Sequence, residues 1–244
     1  MTSWSTEDAI LLPIVLILNI IISIIVKFAL KNKSDKIKEI PRTAITIFLI
    51  LFEVFKLLYN IIKGTFETKL IPLHFCSTFL FWFSLTAFTK GRLKKVGNSV
   101  GFIAMVMFLI MFYLFPNLII GNASANLFKE FKHLHTFVFH NLIVLYFCLT
   151  ISLKLYEPRL NHFIYFFISF TIYFIITVPL AHVLNANFTN FLYSDAKILQ
   201  DILNSFGYPI YSIFIYVAGM IFAFLCCWVS SVLYNFINKK SRLN

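Results

Sequence analysis

Apolar residues run in long unbroken blocks along this chain, and polar residues collect between them. Blocks lie at about 9–30, 44–63, 71–89, 99–120, 134–153, 162–184 and 210–236. A helix needs about 20 apolar residues to cross a hydrocarbon layer roughly 30 Å thick. Alternation over about 10 residues, which marks a membrane barrel, is absent. The pattern therefore predicts an all-α, polytopic membrane helix bundle with about seven transmembrane helices, forming one membrane domain over 1–244. The first block is too long for a signal-peptide core and lacks a basic leader, so it reads as a retained span. The one long polar stretch, 185–209, holds Asn185, Asn187, Asn190, Asp195 and Asp201 and reads as a loop.

Composition sharpens the class. Hydrophobic residues make up 60% of the chain and charged residues only 13%, against about a quarter charged in a soluble domain. In a soluble protein the net charge of +11 would suggest nucleic acid. Here the basic residues sit between spans, so they report orientation and no nucleic-acid partner is expected. One set of span ends, at 31–42, 90–95, 154–159 and 239–242, carries fourteen Lys and Arg; the other carries five, Lys63, Lys69, Lys129, Lys132 and Lys197. The positive-inside rule then places the N-terminus outside and the C-terminus in the cytoplasm of a multi-pass cell-membrane protein.

Polar residues within the blocks are the candidate chemistry, because hydrocarbon offers them no partners. On this orientation Cys76 lies about five residues inside the outer rim, or roughly 7 Å at 1.5 Å per residue. His140 sits at similar depth, His182 near the rim, and Asn185 and Asn190 just beyond it. Glu53 and Lys56 are three apart, which lets them pair on one helix face. His133 and His135 read as solvated rim residues. The thiols Cys148, Cys226 and Cys227 lie deep in apolar runs and read as small buried hydrophobes. No His/Cys spacing suggests a metal site.

A thiol near a helix start gains thiolate character from the positive end of the dipole, an arrangement suited to nucleophilic catalysis. On an ideal helix His74 points away from Cys76, so a base is expected from another helix, and His140 is chosen on depth.

The segment Ile71-Pro72-Leu73-His74-Phe75-Cys76-Ser77 resembles the L-P-L-H-L-C-S motif of the YwaF-like bacterial integral membrane proteins, whose eukaryotic relative is a transmembrane cysteine acyltransferase of ether phospholipids. Asn185 to Tyr193 is loosely similar to the asparagine-containing segment after the family's sixth span. The resemblance implies that Cys76 is the catalytic cysteine and His74 its motif partner. The expected function is acyl transfer between membrane lipids through a thioester on Cys76, without a dissociable cofactor. In that reading His140 is the base, His74 or Asn190 helps hold the carbonyl oxygen, His182, Asn185 and Asn190 bind substrate, and Glu53 and Lys56 support the site. The alternative is a small transporter or ligand-binding membrane protein, in which the ionisable residues line a substrate path. The sequence leaves the acyl chain, the acceptor and the oligomeric state open.

Overall fold

A computed structural model describes residues 4–194 and 197–241. Asp195 and Arg242, counted above among the loop and tail charges, lie outside these. The described residues form the helices α1 (Thr6–Ala29), α2 (Asp35–Ile62), α3 (Thr78–Phe88), α4 (Gly91–Leu114), α5 (Pro116–Ile120), α6 (Phe131–Ser152), α7 (Phe163–Val183) and α8 (Lys197–Ser241). Short 3₁₀ turns lie at Thr68–Leu70, Phe75–Ser77, Leu160–His162 and Phe188–Asn190. The chain is an all-α polytopic bundle. Each apolar block carries a helix, and six helical segments are long and apolar enough to cross a membrane. The third block yields only the shorter apolar segment Phe75–Phe88.

Burial runs inside out, as lipid surroundings require. In α1 the buried residues are Asp8, Leu12, Asn19 and Ser23, while Ile10, Ile14, Ile17 and Ile25 are exposed. A capping box starts this helix: the Ser5 side chain accepts from the Asp8 N–H, and the Asp8 carboxylate accepts from the Ser5 N–H, each at 3.0 Å. Two backbone N–H groups that a helix start leaves unpaired are thereby satisfied.

The chain divides into two compact units. One comprises residues 1–59 and 79–157, the other 60–78 and 158–244.

In the first unit α1 packs along α6, and Asn19 Nδ2 donates to Asn141 O at 3.3 Å. The core is aromatic: Phe79, Phe83, Phe108, Phe112 and Tyr146 are all nearly inaccessible, and the Phe83 and Tyr146 rings stack with centroids 3.7 Å apart. Two expectations are corrected here. Arg42 is not a loop charge. Helix α2 starts at Asp35, so Arg42 lies in its second turn, 1% exposed. Its guanidinium donates to Glu39, to Asn98 Oδ1 and Thr150 Oγ1 at 3.3 Å each, and stands 5.3 Å from the Tyr146 ring. Nor is His135 a solvated rim residue; it is 5% exposed, with its ring 4.5 Å from that of Phe52.

The hairpin of α3 and α4 depends on one glycine. A Cβ on Gly97 would come within 2.8 Å of Leu85 Cβ and 2.9 Å of the Thr86 backbone nitrogen. Backbone cannot yield as a flexible side chain does, so Gly97→Ala is expected to cost about 1–3 kcal/mol through overpacking. Gly101→Ala meets only ordinary contact, 3.5 Å from Trp82 Cβ, and is expected to be tolerated. Thermal unfolding midpoints in detergent compare the two, and equal midpoints would dismiss the close approach at Gly97.

In the second unit α7 packs on α8. The Phe163 ring lies edge-on to Phe224, and Gly219 leaves room for the Phe170 ring, 3.6 Å from where its Cβ would stand. The stretch expected as a loop, 185–209, is partly helical, because α8 already starts at Lys197. The helix is interrupted at Gly207 (φ 75°), two residues before Pro209. Glycine takes that left-handed φ without a Cβ clash. Cys226 and Cys227 are buried, as read from the sequence, whereas Cys148, in the first unit, is half-buried and not the fully buried hydrophobe expected.

Candidate functional site

The third apolar block does not begin as a helix at Pro72. His74 is extended (φ −69°, ψ 152°), Phe75–Ser77 make a single 3₁₀ turn, and α3 follows. Cys76 therefore sits in a tight turn at a helix start, half-buried with a free thiol. Two hydroxyls hold that turn. The Phe75 N–H donates to Thr189 Oγ1 at 2.8 Å; Thr189 Oγ1 meets the Tyr173 hydroxyl at 2.8 Å; and the Tyr173 hydroxyl donates to Leu73 O at 2.7 Å. Tyrosine has a single O–H hydrogen, spent on Leu73, so Thr189 must donate to Tyr173. The hydrogen bonds thus run in one direction, from Phe75 N–H through both hydroxyls to Leu73 O. They begin and end on the tripeptide that precedes Cys76, and such chains polarise one another cooperatively.

Backbone strain accompanies the clamp. Thr189 and Asn190 both occupy left-handed φ, 54° and 60°. For a β-branched residue this costs on the order of 1–3 kcal/mol and persists only where surroundings enforce it. The surroundings are Tyr211, whose hydroxyl donates to Asn190 O at 2.6 Å, and Asn187, whose Oδ1 accepts from the Leu192 N–H at 2.9 Å. Beneath the turn Phe188 is fully buried with Ala181 and Ala186 against Ile71, Leu73, Leu184 and Leu192.

The second unit holds Cys76, His74, His182, Asn185 and Asn190. His74 Nε2 donates to Lys69 O at 3.1 Å, since a carbonyl can only accept, and its ring stands edge-on to Phe188. The ring of His182 packs edge-on to Tyr208, centroids 4.1 Å apart. Asn185 ends α7 in the left-handed conformation (φ 46°). Its N–H donates to His182 O and that of Ala186 to Ala181 O, a Schellman pair.

The first unit holds His140, Glu53 and Lys56. His140 Nδ1 donates to Thr136 O at 2.6 Å, which makes Nε2 the nitrogen that accepts a proton in the neutral ring. The ring stacks beside Phe108 and Phe112. Glu53 pairs with Lys56 on α2, and its other oxygen lies 3.2 Å from His135 Nε2 on α6. Glu53→Gln removes the carboxylate that neutralises the largely buried Lys56 ammonium, and breaking such a pair costs about 3–5 kcal/mol. Folded yield is expected to fall further for Glu53→Gln than for Glu53→Gln/Lys56→Gln. Equal yields would mean that the two are not partners.

Comparison with protein families adds one result. The model of the TMEM164 family matches residues 1–234. The chain belongs to the TMEM164 family. Comparison with curated proteins and with solved structures gave no match. The family match spans both units of this TMEM164-family protein, from the start of α1 to within the last turns of α8.

Sequence reasoning missed Tyr173 and Thr189. The available signal was weak: a tyrosine within an Ile/Phe-rich span, and a threonine between two asparagines. Neither has a motif, since their partners lie 100 and 114 residues away along the chain.

Proposed function

We propose that this TMEM164-family protein is a cell-membrane enzyme that moves a fatty acyl group from one lipid to another through a thioester on Cys76. The supporting observation is the Phe75–Thr189–Tyr173–Leu73 clamp. Two hydroxyls and a strained backbone hold one half-buried cysteine in a fixed turn at a helix start. In the first half-reaction the Cys76 sulfur attacks the ester carbonyl carbon, an S–C bond forms, and the carbonyl electron pair moves to oxygen. The pair returns, the ester C–O bond breaks, and the thiol proton passes through a base to the departing lysolipid alkoxide. An acceptor lipid hydroxyl reverses these steps onto its own oxygen. His140 is the proposed base, on its depth in the sequence and its proton-accepting Nε2. His182, Asn185 and Asn190 are proposed as the polar contacts for lipid headgroups, Glu53 and Lys56 as support. No dissociable cofactor enters this scheme.

Incubation of the purified protein with phospholipid tests the proposal. Mass spectrometry should find an acyl mass on the peptide containing Cys76, removed by hydroxylamine. Its absence under conditions of lipid remodelling would overturn the thioester. The buried Glu53–Lys56–His135 cluster favours a second reading, a small transporter or ligand-binding membrane protein without covalent chemistry. On that reading Cys76→Ala leaves function intact and Glu53→Gln removes it.

A further inference from the structure

Charge on the first unit is one-sided. Residues 31–42 and 90–95 hold nine Lys and Arg against two carboxylates, Asp35 and Glu39, a surplus of seven positive charges. The fold joins the two stretches. Lys94 Nζ on α4 reaches Glu39 Oε1 on α2 at 3.2 Å, and Arg42 Nη1 on α2 donates to Asn98 Oδ1 on α4 at 3.3 Å. Both carboxylates are occupied: Glu39 serves Lys94 and Arg42, and Asp35 serves Lys38 at 3.6 Å. Lys31, Lys33, Lys36, Lys90 and Arg92 are exposed and form no ion pair among the described residues. Lys69 and Lys132, at the opposite span ends, each have a carboxylate partner.

Like charges gathered this closely repel, and their counter-anions must come from outside the chain. The residues between the cations say which anions these are. Ile37 and Ile40 alternate with Lys36 and Lys38, Leu93 lies between Arg92 and Lys94, and Phe28 and Phe88 end the preceding helices; all five are exposed. A surface for a dissolved polyanion has no use for large exposed hydrocarbon. The mixture matches the edge of a bilayer, where Lys and Arg stems lie along apolar tails and their heads reach the phosphates. Clusters of about four to eight Lys and Arg beside membrane helices attract anionic lipid in this way.

We infer that the joined starts of α2 and α4 form a binding surface for anionic phospholipid headgroups and select these lipids over zwitterionic ones. The five unpaired cations attract the headgroup phosphates. Lys38, Lys94 and Arg42, held by Asp35 and Glu39, keep the two helix starts side by side beneath them. The selection is electrostatic and acts between exposed groups, so it weakens as salt rises. It needs no chemistry at Cys76 and holds whatever reaction that residue performs.

The test equilibrates the purified full chain, in a non-ionic detergent, with equal amounts of dioleoyl phosphatidylglycerol and dioleoyl phosphatidylcholine. The two lipids share their acyl chains and differ in headgroup charge. Mass spectrometry counts the lipid retained through gel filtration. Wild type is expected to retain phosphatidylglycerol in about tenfold excess, since each Lys or Arg near an anionic surface is worth roughly a fewfold in affinity. Lys31→Gln/Lys33→Gln/Lys36→Gln and Lys90→Gln/Arg92→Gln are each expected to lower that excess about threefold or more, and Lys63→Gln/Lys129→Gln to leave it unchanged. Should a variant prove unstable on gel filtration, wild type at rising NaCl makes the comparison, and the excess is expected to shrink. Neither equimolar inorganic phosphate nor an equimolar single-stranded oligonucleotide is expected to displace the bound phosphatidylglycerol. Full displacement by either would overturn the lipid assignment. Equal retention of the two lipids by wild type would overturn it as well, as would an excess that survives in either variant or falls equally in Lys63→Gln/Lys129→Gln.

Discussion

Lipid acyl transfer is expected to fall more than about a thousandfold in Cys76→Ala, because removing a nucleophile leaves only binding and electrostatic stabilisation behind. The same residue is expected to be the most reactive thiol in the protein. Cys76 is half-buried at a helix start, whereas Cys226 and Cys227 are 4% and 3% exposed within the second unit. Cys227 also packs on the backbone, its sulfur 3.7 Å from Arg159 O. A lipid-like electrophile should therefore label Cys76 ahead of Cys226 and Cys227, with digestion and mass spectrometry as the readout. His140→Ala should slow labelling at Cys76 while the protein stays folded, since it removes the proposed base. Full remodelling activity in purified Cys76→Ala would refute covalent catalysis at this residue. Equal, slow labelling of all four thiols would favour the reading without covalent chemistry.

The largest effect on stability is expected at Arg42. Its planar guanidinium reaches Glu39, Asn98 and Thr150 at once and stacks near Tyr146. Arg42→Ala removes every one of these partners together. It leaves Asn98 Oδ1 without its Arg42 donor and Glu39 paired with Lys94, at 3.2 Å. Breaking a buried ion pair from one side costs about 3–5 kcal/mol, a large part of the stability of an ordinary domain. Arg42→Lys is expected to recover little, because an ammonium is a point charge and cannot span the same acceptors. Arg42→Met/Glu39→Gln is expected to recover more, since no charge is then stranded. Thermal unfolding in detergent ranks the variants. A midpoint for Arg42→Ala within a degree of wild type would show that the cluster is not structural.

Arg42 also shows why position along the chain misplaced a residue. By position it belonged with Lys31 to Lys38 at a basic span end. Its burial depends on Asn98 and Thr150, 56 and 108 residues further on, and no local pattern announces them. His135 misread for the same reason: beside Lys132 and His133 it resembled a rim residue, but Phe52 and Glu53 on α2 enclose it. The Glu53–Lys56 pair was legible because three residues of helix bring two side chains together whatever else the chain does.

By itself the sequence determined an all-α membrane protein and the placing of its apolar helices. Block length against hydrocarbon thickness is a local property, and backbone hydrogen bonds within each helix enforce it. It also singled out the Ile71–Ser77 segment. Only the tertiary structure decided that the segment opens with an extended His74 and a 3₁₀ turn, and that Tyr173 and Thr189 close on it. An isolated apolar run would continue its helix through Leu73 to Cys76. Here Leu73 O and the Phe75 N–H are instead satisfied by hydroxyls from a distant helix and a strained loop, and those partners exist only once the chain has folded.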